Sequence, residues 1–100
     1  MRELLLGCTG FEWDDGNATR NWDRHEVSNG ECEEVFFGAH VLVAPDAGHS
    51  QAEVRYYALG TTAVGRLLFV AFTVRGNRIR IISARPMGRQ ERSVYEWKQE

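Results

Sequence analysis

The residues of this 100-residue chain that are best suited to chemistry are one histidine and several arginines. His25 follows Arg24 at the end of a predicted helix, whereas Arg80 and Arg85 lie in and just after a predicted strand. Histidine titrates near neutral pH, so it can accept or donate a proton. Arginine stays charged and offers a fork of donors to two phosphate oxygens. This set suits metal-independent RNA cleavage, in which the 2′-hydroxyl group of the substrate attacks the adjacent phosphate.

Further side chains are candidates for binding such a substrate. Arg55 lies in a predicted strand and can hold a phosphate, and either Tyr56 or Tyr57 can stack on an unpaired base. Asn21 lies one helical turn before the histidine, and Arg89 lies on the last predicted helix. We predict Arg55, Tyr56, Asn21 and Arg89 as substrate-binding residues.

Each candidate also has an ordinary structural explanation. His25 at a helix C-terminus can favour the negative end of the helix dipole and bond the last carbonyl groups. Arg80 alternates with isoleucines, which is typical of a solvent-facing strand position, and Arg85 can pair with Glu91. Arg89 lies on a helix face that is usually solvated. The residues alone therefore predict a basic α+β domain that can face RNA.

The sequence lacks the fingerprints of familiar enzyme mechanisms. It contains no phosphate-binding glycine loop, no nucleophile elbow and no closely spaced pair of metal ligands. Its cysteines and histidines are scattered, at positions 8, 32, 25, 40 and 49. We expect free cysteines and no cofactor; a zinc site built from these five residues is the alternative.

The charge distribution is more informative than the net charge of −2. Residues 1–59 carry eleven acidic side chains against four arginines, whereas residues 60–100 carry seven arginines and one lysine against three acidic side chains. Such asymmetry indicates a phosphate-bearing partner, although a solvated basic face is equally compatible. No apolar run reaches the roughly 20 residues that span a bilayer, so we expect a cytoplasmic protein without membrane contact.

The first of two expected N-terminal helices runs from Asp14, a plausible N-cap, to His25. Polar residues recur along one side of it at spacings of three and four. Trp22 and Ala18 lie elsewhere on the helix and can supply its packing.

The second helix begins with a capping-box pattern over residues 28–31, in which a serine and a glutamate each satisfy a backbone donor. It is expected to run from about Glu31 to Phe37 and to bury Val35 and Phe36. Gly38 is well placed to end it.

After residue 40 the hydrophobic period changes to two, which favours strands. The third apolar run is continuous and predicts a central strand, and Gly76-Asn77 provides a tight turn after it. The predicted strands are 41–44, 54–59, 67–74 and 79–84, followed by a helix over 88–98. We therefore predict a single α+β domain with two N-terminal helices, a four-stranded antiparallel meander and a C-terminal helix.

Three blocks of residues resemble the sequence signature of the BrnT toxin family. The opening block contains Phe11–Asp14, Asn21, Arg24-His25, Val27-Ser28 and Val35-Phe36. The middle block contains His49-Ser50, Glu53, Arg55-Tyr56 and Leu59-Gly60. The closing block contains Arg66–Leu68, Phe72-Thr73, Arg75-Gly76, Ile79–Arg85, Glu91-Arg92 and Tyr95-Glu96. The blocks occur in order and cover nearly the whole chain from Phe11 onward.

This resemblance implies a fold similar to that of the RelE-type ribonucleases and a toxic activity against RNA. It also implies neutralisation by a co-encoded BrnA-like antitoxin with a DNA-binding domain. The complex would then contact operator DNA only through the antitoxin. The matched polar positions His25, Arg24, Arg80 and Arg85 are those that the resemblance assigns to the catalytic face.

Four departures from the family pattern cluster in the first block. Asn17 replaces a lysine and cannot neutralise a phosphate, and Arg24 replaces a lysine and does not readily give up a proton. Glu26 replaces a glycine, which removes an easy left-handed helix end and adds a negative charge beside His25. Asn29-Gly30 replaces an aromatic–acid pair. The alternative function is therefore a catalytically weakened relative that binds antitoxin or RNA without cleavage.

Overall fold

The structure is a computed structural model that describes residues 3–49 and 53–98. Its elements are α1 (Glu3–Leu6), β1 (Gly10–Glu12), α2 (Arg20–His25), α3 (Asn29–Phe37), β2 (Leu42–Pro45), a short 3-10 helix (Ala47–His49), β3 (Tyr56–Thr61), β4 (Leu67–Arg75), β5 (Arg78–Pro86) and α4 (Arg89–Lys98). The predicted α+β class is confirmed, but the details of the elements differ.

One five-stranded sheet in the order β1-β5-β4-β3-β2 forms the centre of the domain. Strands β2 to β5 form the predicted antiparallel meander. The prediction of four strands was wrong, because β1 adds a fifth strand that runs parallel to β5 and places Phe11 beside Ile79. A strand of three residues is too short to show an alternating pattern, so its pairing with a distant strand was not visible in the sequence.

The first predicted helix is much shorter than expected. The helix α2 covers only Arg20–His25, and turns precede it. Asp14 is not its N-cap, because the helix begins at Arg20 and Thr19 occupies the N-cap position. The Asp14 carboxylate instead accepts a hydrogen bond from the backbone nitrogen of Gly16 at 2.8 Å. The predicted packing side was also wrong, since Trp22 is 56% exposed whereas the polar residue Asn21 is buried.

The helix α3 begins with the predicted capping box. Ser28 Oγ accepts a hydrogen bond from the Glu31 backbone nitrogen at 3.1 Å, and Glu31 Oε1 accepts one from the Ser28 backbone nitrogen at 3.0 Å. The helix starts two residues earlier than expected, because the two residues inside the box belong to its first turn. Val35 is fully buried, Phe36 is half-buried and Gly38 ends the helix.

Side chains alternate across the sheet, so two apolar clusters form on its two faces. The α3 face is the one whose core contains Val27, Cys32, Val35, Val41, Ala58, Leu68, Val70, Phe72, Ile79, Ile81 and Ala84. The α4 face carries the smaller cluster of Leu59, Met87 and Tyr95, with Leu42, Tyr57, Leu67 and Phe69 packed against it. The adjacent tyrosines are therefore separated, since Tyr56 packs on the α3 face and Tyr57 on the α4 face.

A register shift between β4 and β5 decides which face the late arginines occupy. Residues 80 and 85 are separated by an odd number, so simple alternation would place them on opposite faces. The shift leaves Ile82 as an extra residue on β5. As a result, Arg80 pairs with Thr73, Arg85 pairs with Phe69, and both arginines lie on the α4 face.

Both cysteines are free, as expected. Cys32 is buried, and burial raises the pKa of its thiol to about 12, so this group stays protonated at neutral pH. Within residues 3–49 and 53–98, no three His, Cys, Asp or Glu side chains form a cluster that could hold a metal ion. No helix in these ranges is long and apolar enough to cross a membrane.

The helix α2 ends at Glu26 in the left-handed conformation, with φ 52° and ψ 41°. The helix keeps a left-handed end although Glu26 replaces the glycine that would adopt it easily. Arg66 holds the end in place, because its guanidinium group donates to the carbonyl oxygens of His25 at 3.2 Å and Glu26 at 2.9 Å. A non-glycine residue in this conformation costs about 1 kcal/mol.

We predict that Glu26→Gly raises the free energy of unfolding by about 1 kcal/mol, because glycine adopts a positive φ without steric cost. Urea denaturation at neutral pH measures the change. Asp23→Gly in the same helix is the matched control and should instead lower the stability by about 0.5–1 kcal/mol. Equal destabilisation by both substitutions would contradict the explanation.

The helix α4 is tied to the sheet by the predicted pair of Arg85 and Glu91, which is confirmed. Arg85 Nη1 and Nη2 each donate to one Glu91 carboxylate oxygen at 2.7 Å. The backbone nitrogen of Gly88 also donates to Glu91 Oε1 at 2.8 Å. The hydrogen bonds from Arg85 are the main reason that the pKa of Glu91 is lowered.

We predict that Glu91→Gln weakens the acid sensitivity of the fold. Because the pKa of Glu91 is lower in the folded chain than in the unfolded chain, its stabilising contribution is present above the ordinary value of 4.5 and declines as the pH falls below it. The pair is partly exposed, so the substitution should lower the stability at pH 7 by about 1 kcal/mol or less.

Urea denaturation at pH 7 and pH 3 measures this effect. The loss of stability between the two pH values should be smaller in Glu91→Gln than in the parent chain. Glu96→Gln, at an exposed position of the same helix, is the control and should retain the full loss. An undiminished loss in Glu91→Gln would show that the pair does not carry the acid sensitivity.

Candidate functional site

A polar pocket of about 170 Å³ lies on the α4 face, and no residue of α4 lines it. Four arginines contribute to its wall. This arginine pocket is lined by Gly16, Asn17, Arg20, Glu53, Arg55, Thr73, Arg75, Arg80, Ile81 and Ile82. The structure therefore brings together two residues that the sequence singled out for phosphate contact, Arg55 and Arg80.

Sheet pairing gathers these arginines from distant parts of the chain. Thr73 pairs with Arg80 across β4 and β5, and Arg55 precedes β3 on the other side of β4. Arg75 follows Thr73 by two residues and so shares its face. Arg20 comes from the start of α2. The pocket thus has β4, β5 and the segment before β3 as its floor and the start of α2 as one wall.

Arg80 is held by two carboxylates and is only 14% exposed. Its Nη1 donates to Glu12 Oε1 and Asp14 Oδ2, both at 2.9 Å, and its Nη2 donates to Asp14 Oδ1 at 3.0 Å. The hydrogen bonds from Arg80 lower the pKa of Asp14, and those to Asp14 raise the pKa of Arg80. Arg80 is therefore a fixed, permanently charged group at the pocket wall.

Arg75 forms a similar two-pronged pair with Glu53, with distances of 2.8 Å from Nε to Oε2 and 2.9 Å from Nη2 to Oε1. These bonds lower the pKa of Glu53. A carboxylate with a lowered pKa is a weak base at neutral pH. Among the described residues, Arg20 has no hydrogen-bond or ion-pair partner for its guanidinium group. The pocket therefore combines oriented arginines with one whose donors face solvent.

Two asparagine side chains fasten α2 and the turn before it to β5. Asn17 Nδ2 donates to the carbonyl oxygens of Glu12 at 3.0 Å and Ile81 at 2.9 Å. Asn21 Oδ1 accepts a hydrogen bond from the backbone nitrogen of Ala84 at 2.8 Å. Asn21 is 2% exposed, so it holds the helix on the sheet and leaves no surface for the substrate contact expected of it.

Arg85 does not line the arginine pocket. It is five residues beyond Arg80 on β5, which corresponds to roughly 15 Å along the strand. Its guanidinium donors are taken by Glu91, and its guanidinium carbon lies over the ring of Phe69, 4.3 Å from the centroid. Arg85 therefore presents a planar group rather than an open fork.

His25 and Arg24 lie at the end of α2 that is remote from the arginine pocket. Both are exposed, and neither lines the pocket. Arg20 at the start of the helix does line it, and His25 lies about 7.5 Å further along the helix axis. The side chain of His25 makes no hydrogen bond to any described residue. The structure thus does not bring His25, Arg80 and Arg85 into one pocket.

The remaining predicted site residues lie in different places. Tyr56 is half-buried and stacks on Phe72, with ring centroids 5.6 Å apart, on the face opposite the arginine pocket. Arg89 is exposed at the first position of α4. The structure does not describe Ser50 or the side chain of His49, which belong to the middle block of the sequence.

Two arginines of the pocket were missed by the sequence analysis. Arg75 follows Thr73 at a spacing of two, so strand alternation could have placed both on one face. Arg20 carried no such signal, because it lay within a segment that was expected to be one continuous helix.

The comparisons with known proteins agree with this architecture. A family model described as the ribonuclease toxin BrnT of type II toxin–antitoxin systems matches residues 13–91. The crystal structure of the Brucella abortus ribonuclease toxin BrnT is similar to this chain with a TM-score of 0.61 and 20% sequence identity, over 81% of this chain and 99% of that chain. No curated protein matches the chain.

The two matches support different conclusions, one about the fold and the other about the family. At 20% identity, the similarity to the solved structure shows a common fold. The family model extends from Trp13 to Glu91 and so includes all four strands of the meander, α2 and α3. The chain therefore belongs to the BrnT family of ribonuclease toxins of type II toxin–antitoxin systems.

Proposed function

We propose that this protein is an endoribonuclease that cleaves RNA without a metal ion and binds the scissile phosphate in the arginine pocket. The observation that carries the proposal is the convergence of Arg20, Arg55, Arg75 and Arg80 on one pocket of the α4 face. The fork of Arg20, which has no partner among the described residues, matches the oxygens of a phosphate. The oriented charges of Arg75 and Arg80 stabilise the negative charge that grows on a phosphorane.

The 2′-hydroxyl group of the substrate supplies the nucleophile. Its oxygen bonds to phosphorus as the P–O5′ bond breaks, which leaves a 2′,3′-cyclic phosphate and a 5′-hydroxyl group. The proton lost by the 2′-oxygen is balanced by the one that the 5′-oxygen gains.

The carboxylates around the pocket fit an electrostatic role in this reaction. Glu12, Asp14 and Glu53 hold the guanidinium groups of Arg75 and Arg80 in fixed orientations. Guanidinium groups that are already oriented need little rearrangement when charge develops on the phosphate. Because the pKa values of Asp14 and Glu53 are lowered, these groups are poorly suited to remove the proton of the 2′-hydroxyl group.

His25 is the residue predicted for proton transfer, but it lies outside the pocket. We therefore assign phosphate binding to the arginine pocket, and we expect only a minor contribution from His25 and Arg24 at the opposite end of α2. Arg85 is assigned to the planar surface beside α4, because it does not line the arginine pocket and its guanidinium group packs over the ring of Phe69.

One observation favours the second candidate function, a weakened relative that binds RNA or antitoxin without cleavage. Asn17 occupies the position of a lysine in the family pattern and lines the arginine pocket. Its amide group is committed to two backbone carbonyl oxygens. The pocket thus lacks one cation that the pattern would supply there. RNA binding without cleavage, together with unimpaired growth on expression, would support this function over the first.

We predict that the purified protein cleaves single-stranded RNA in the presence of EDTA. Arg80→Lys keeps the charge but loses the two-pronged pair with Asp14 that orients it, and Arg55→Gln loses the charge; each should lower the cleavage rate by about 100-fold. Arg92→Gln is the control on the exposed surface of α4 and should change the rate by no more than about twofold. Circular dichroism of each variant checks that the fold is retained.

His25→Ala and Arg85→Ala separate this site from the alternatives. Cleavage that survives in Arg55→Gln and Arg80→Lys but is lost in His25→Ala would move the site to the end of α2. Unchanged cleavage in all four variants would exclude every assignment made here.

We further propose that a BrnA-like antitoxin with a DNA-binding domain inhibits the protein by covering the arginine pocket, and that operator DNA is contacted only through this partner. Support comes from membership in a family of type II systems, in which toxin and antitoxin occur as a pair. The positively charged pocket favours an acidic segment of the partner.

We predict that co-expression of the neighbouring reading frame relieves growth arrest and that its purified product stops RNA cleavage at equimolar concentration. Arg20→Gln should weaken the complex, because Arg20 lies at the pocket wall without a partner among the described residues, whereas Arg92→Gln should not. Isothermal titration calorimetry measures both affinities. Equal affinity of the two variants would show that the antitoxin binds elsewhere.

A further inference from the structure

A second pocket, of about 350 Å³, lies between α4 and the sheet. It is lined by Asp46, Tyr57, Leu59, Phe69, Gln90, Glu91 and Val94. Its floor is formed by side chains of β3 and β4, and its wall is formed by the first part of α4. The floor of this pocket is aromatic and aliphatic, and its wall is polar. It therefore differs chemically from the arginine pocket.

Two aromatic rings form part of the floor of the second pocket, and the guanidinium group of Arg85, which does not line the pocket, packs against one of them. The rings of Tyr57 and Phe69 are stacked, with centroids 5.4 Å apart and an interplanar angle of 17°. The guanidinium carbon of Arg85 lies 4.3 Å from the centroid of Phe69. Because Glu91 binds both outer nitrogens of Arg85, this plane is held in place. Aromatic rings and guanidinium planes are the surfaces on which unpaired bases stack.

The two pockets are neighbours on the same face of the sheet. Tyr57 follows Arg55 by two residues, so their side chains project from the same face about 7 Å apart along the chain. Arg55 lines the arginine pocket and Tyr57 lines the second pocket. A strand of RNA whose phosphate lies against Arg55 can therefore place a nearby base over Tyr57.

We propose that the pocket between α4 and the sheet binds one unpaired base of the RNA whose phosphate occupies the arginine pocket. This inference rests on the proposed ribonuclease function and narrows its substrate class to single-stranded RNA, since a base stacked in a duplex cannot enter. The Gln90 side chain at the wall offers a donor and an acceptor to the edge of the base. Of the two tyrosines expected as candidates for stacking, Tyr57 lies on the α4 face and therefore takes this role.

The test is a binding measurement with short RNAs that cannot be cleaved. Pentanucleotides with 2′-O-methyl groups at every position lack the attacking hydroxyl group. One is complete, and five others each lack a single base. We expect that removal of the base at one particular position weakens binding to the parent protein by about 5- to 100-fold. Fluorescence anisotropy at constant salt concentration measures the affinities.

Variants of Tyr57 show whether the pocket is responsible. Tyr57→Phe keeps the ring and should retain the sensitivity to the missing base. Trp97→Leu, at an exposed aromatic position of α4 that does not line the pocket, is the control and should bind the complete RNA like the parent. Tyr57→Leu should bind the complete RNA more weakly than the parent does. Its affinity should not fall further when the RNA lacks the critical base. Should Tyr57→Leu fail to fold, Val94→Trp tests the same point, because it fills the pocket from an exposed position of α4. This variant should also lose the sensitivity to the missing base.

The failures of the two proposals are distinguishable. If Arg55→Gln weakens RNA binding but all five RNAs with a missing base bind as well as the complete one, the base pocket is overturned and the arginine pocket stands. If Arg55→Gln has no effect on RNA binding, the proposed function fails first. If Tyr57→Leu weakens only the binding of the antitoxin, the pocket receives a protein side chain, and the base pocket is likewise overturned.

Discussion

The arginine pocket depends on which groups form hydrogen bonds with the backbone of β5 along the strand edge that faces away from β4. The first part of this edge pairs with β1, and the next part is bound by the side chains of Asn17 and Asn21. A buried strand edge without such partners would leave costly unsatisfied polar groups. Two amide side chains therefore supply hydrogen bonds that a neighbouring strand would otherwise supply. They also fix α2 and the preceding turn beside the sheet.

This arrangement brings acidic and basic residues into close contact. The parallel pairing of β1 with β5 places Glu12 opposite Arg80, and the turn after β1 adds Asp14 to the same guanidinium group. Arg80 belongs to the basic part of the sequence, and its two partners belong to the acidic part. Part of the charge asymmetry of the chain is therefore cancelled inside the fold, because acidic residues pair with arginines and orient them at the pocket. The basic part of the sequence thus does not form a uniformly basic surface.

The helix α4 divides its face of the sheet into two regions of different chemistry. Where the helix lies, the sheet offers aromatic groups, and Arg85 is drawn into a pair with Glu91. Where the helix is absent, the arginine pocket remains open. The face therefore provides charge for a phosphate next to planar surface for a base, which is the combination found where proteins bind single-stranded nucleic acid.

Local chemistry along the chain was sufficient to predict the capping box of α3, the antiparallel meander, the pairing of Arg85 with Glu91 and the family of the protein. These features depend on residues close in sequence or on strong periodic patterns. The positions of the arginines, in contrast, depend on the tertiary structure. It requires the pairing of β1 with β5, which are far apart in the chain, and the extra residue at Ile82, which reverses the alternation of β5. Neither leaves a periodic trace, because both arise from contacts between segments that meet only in the folded protein.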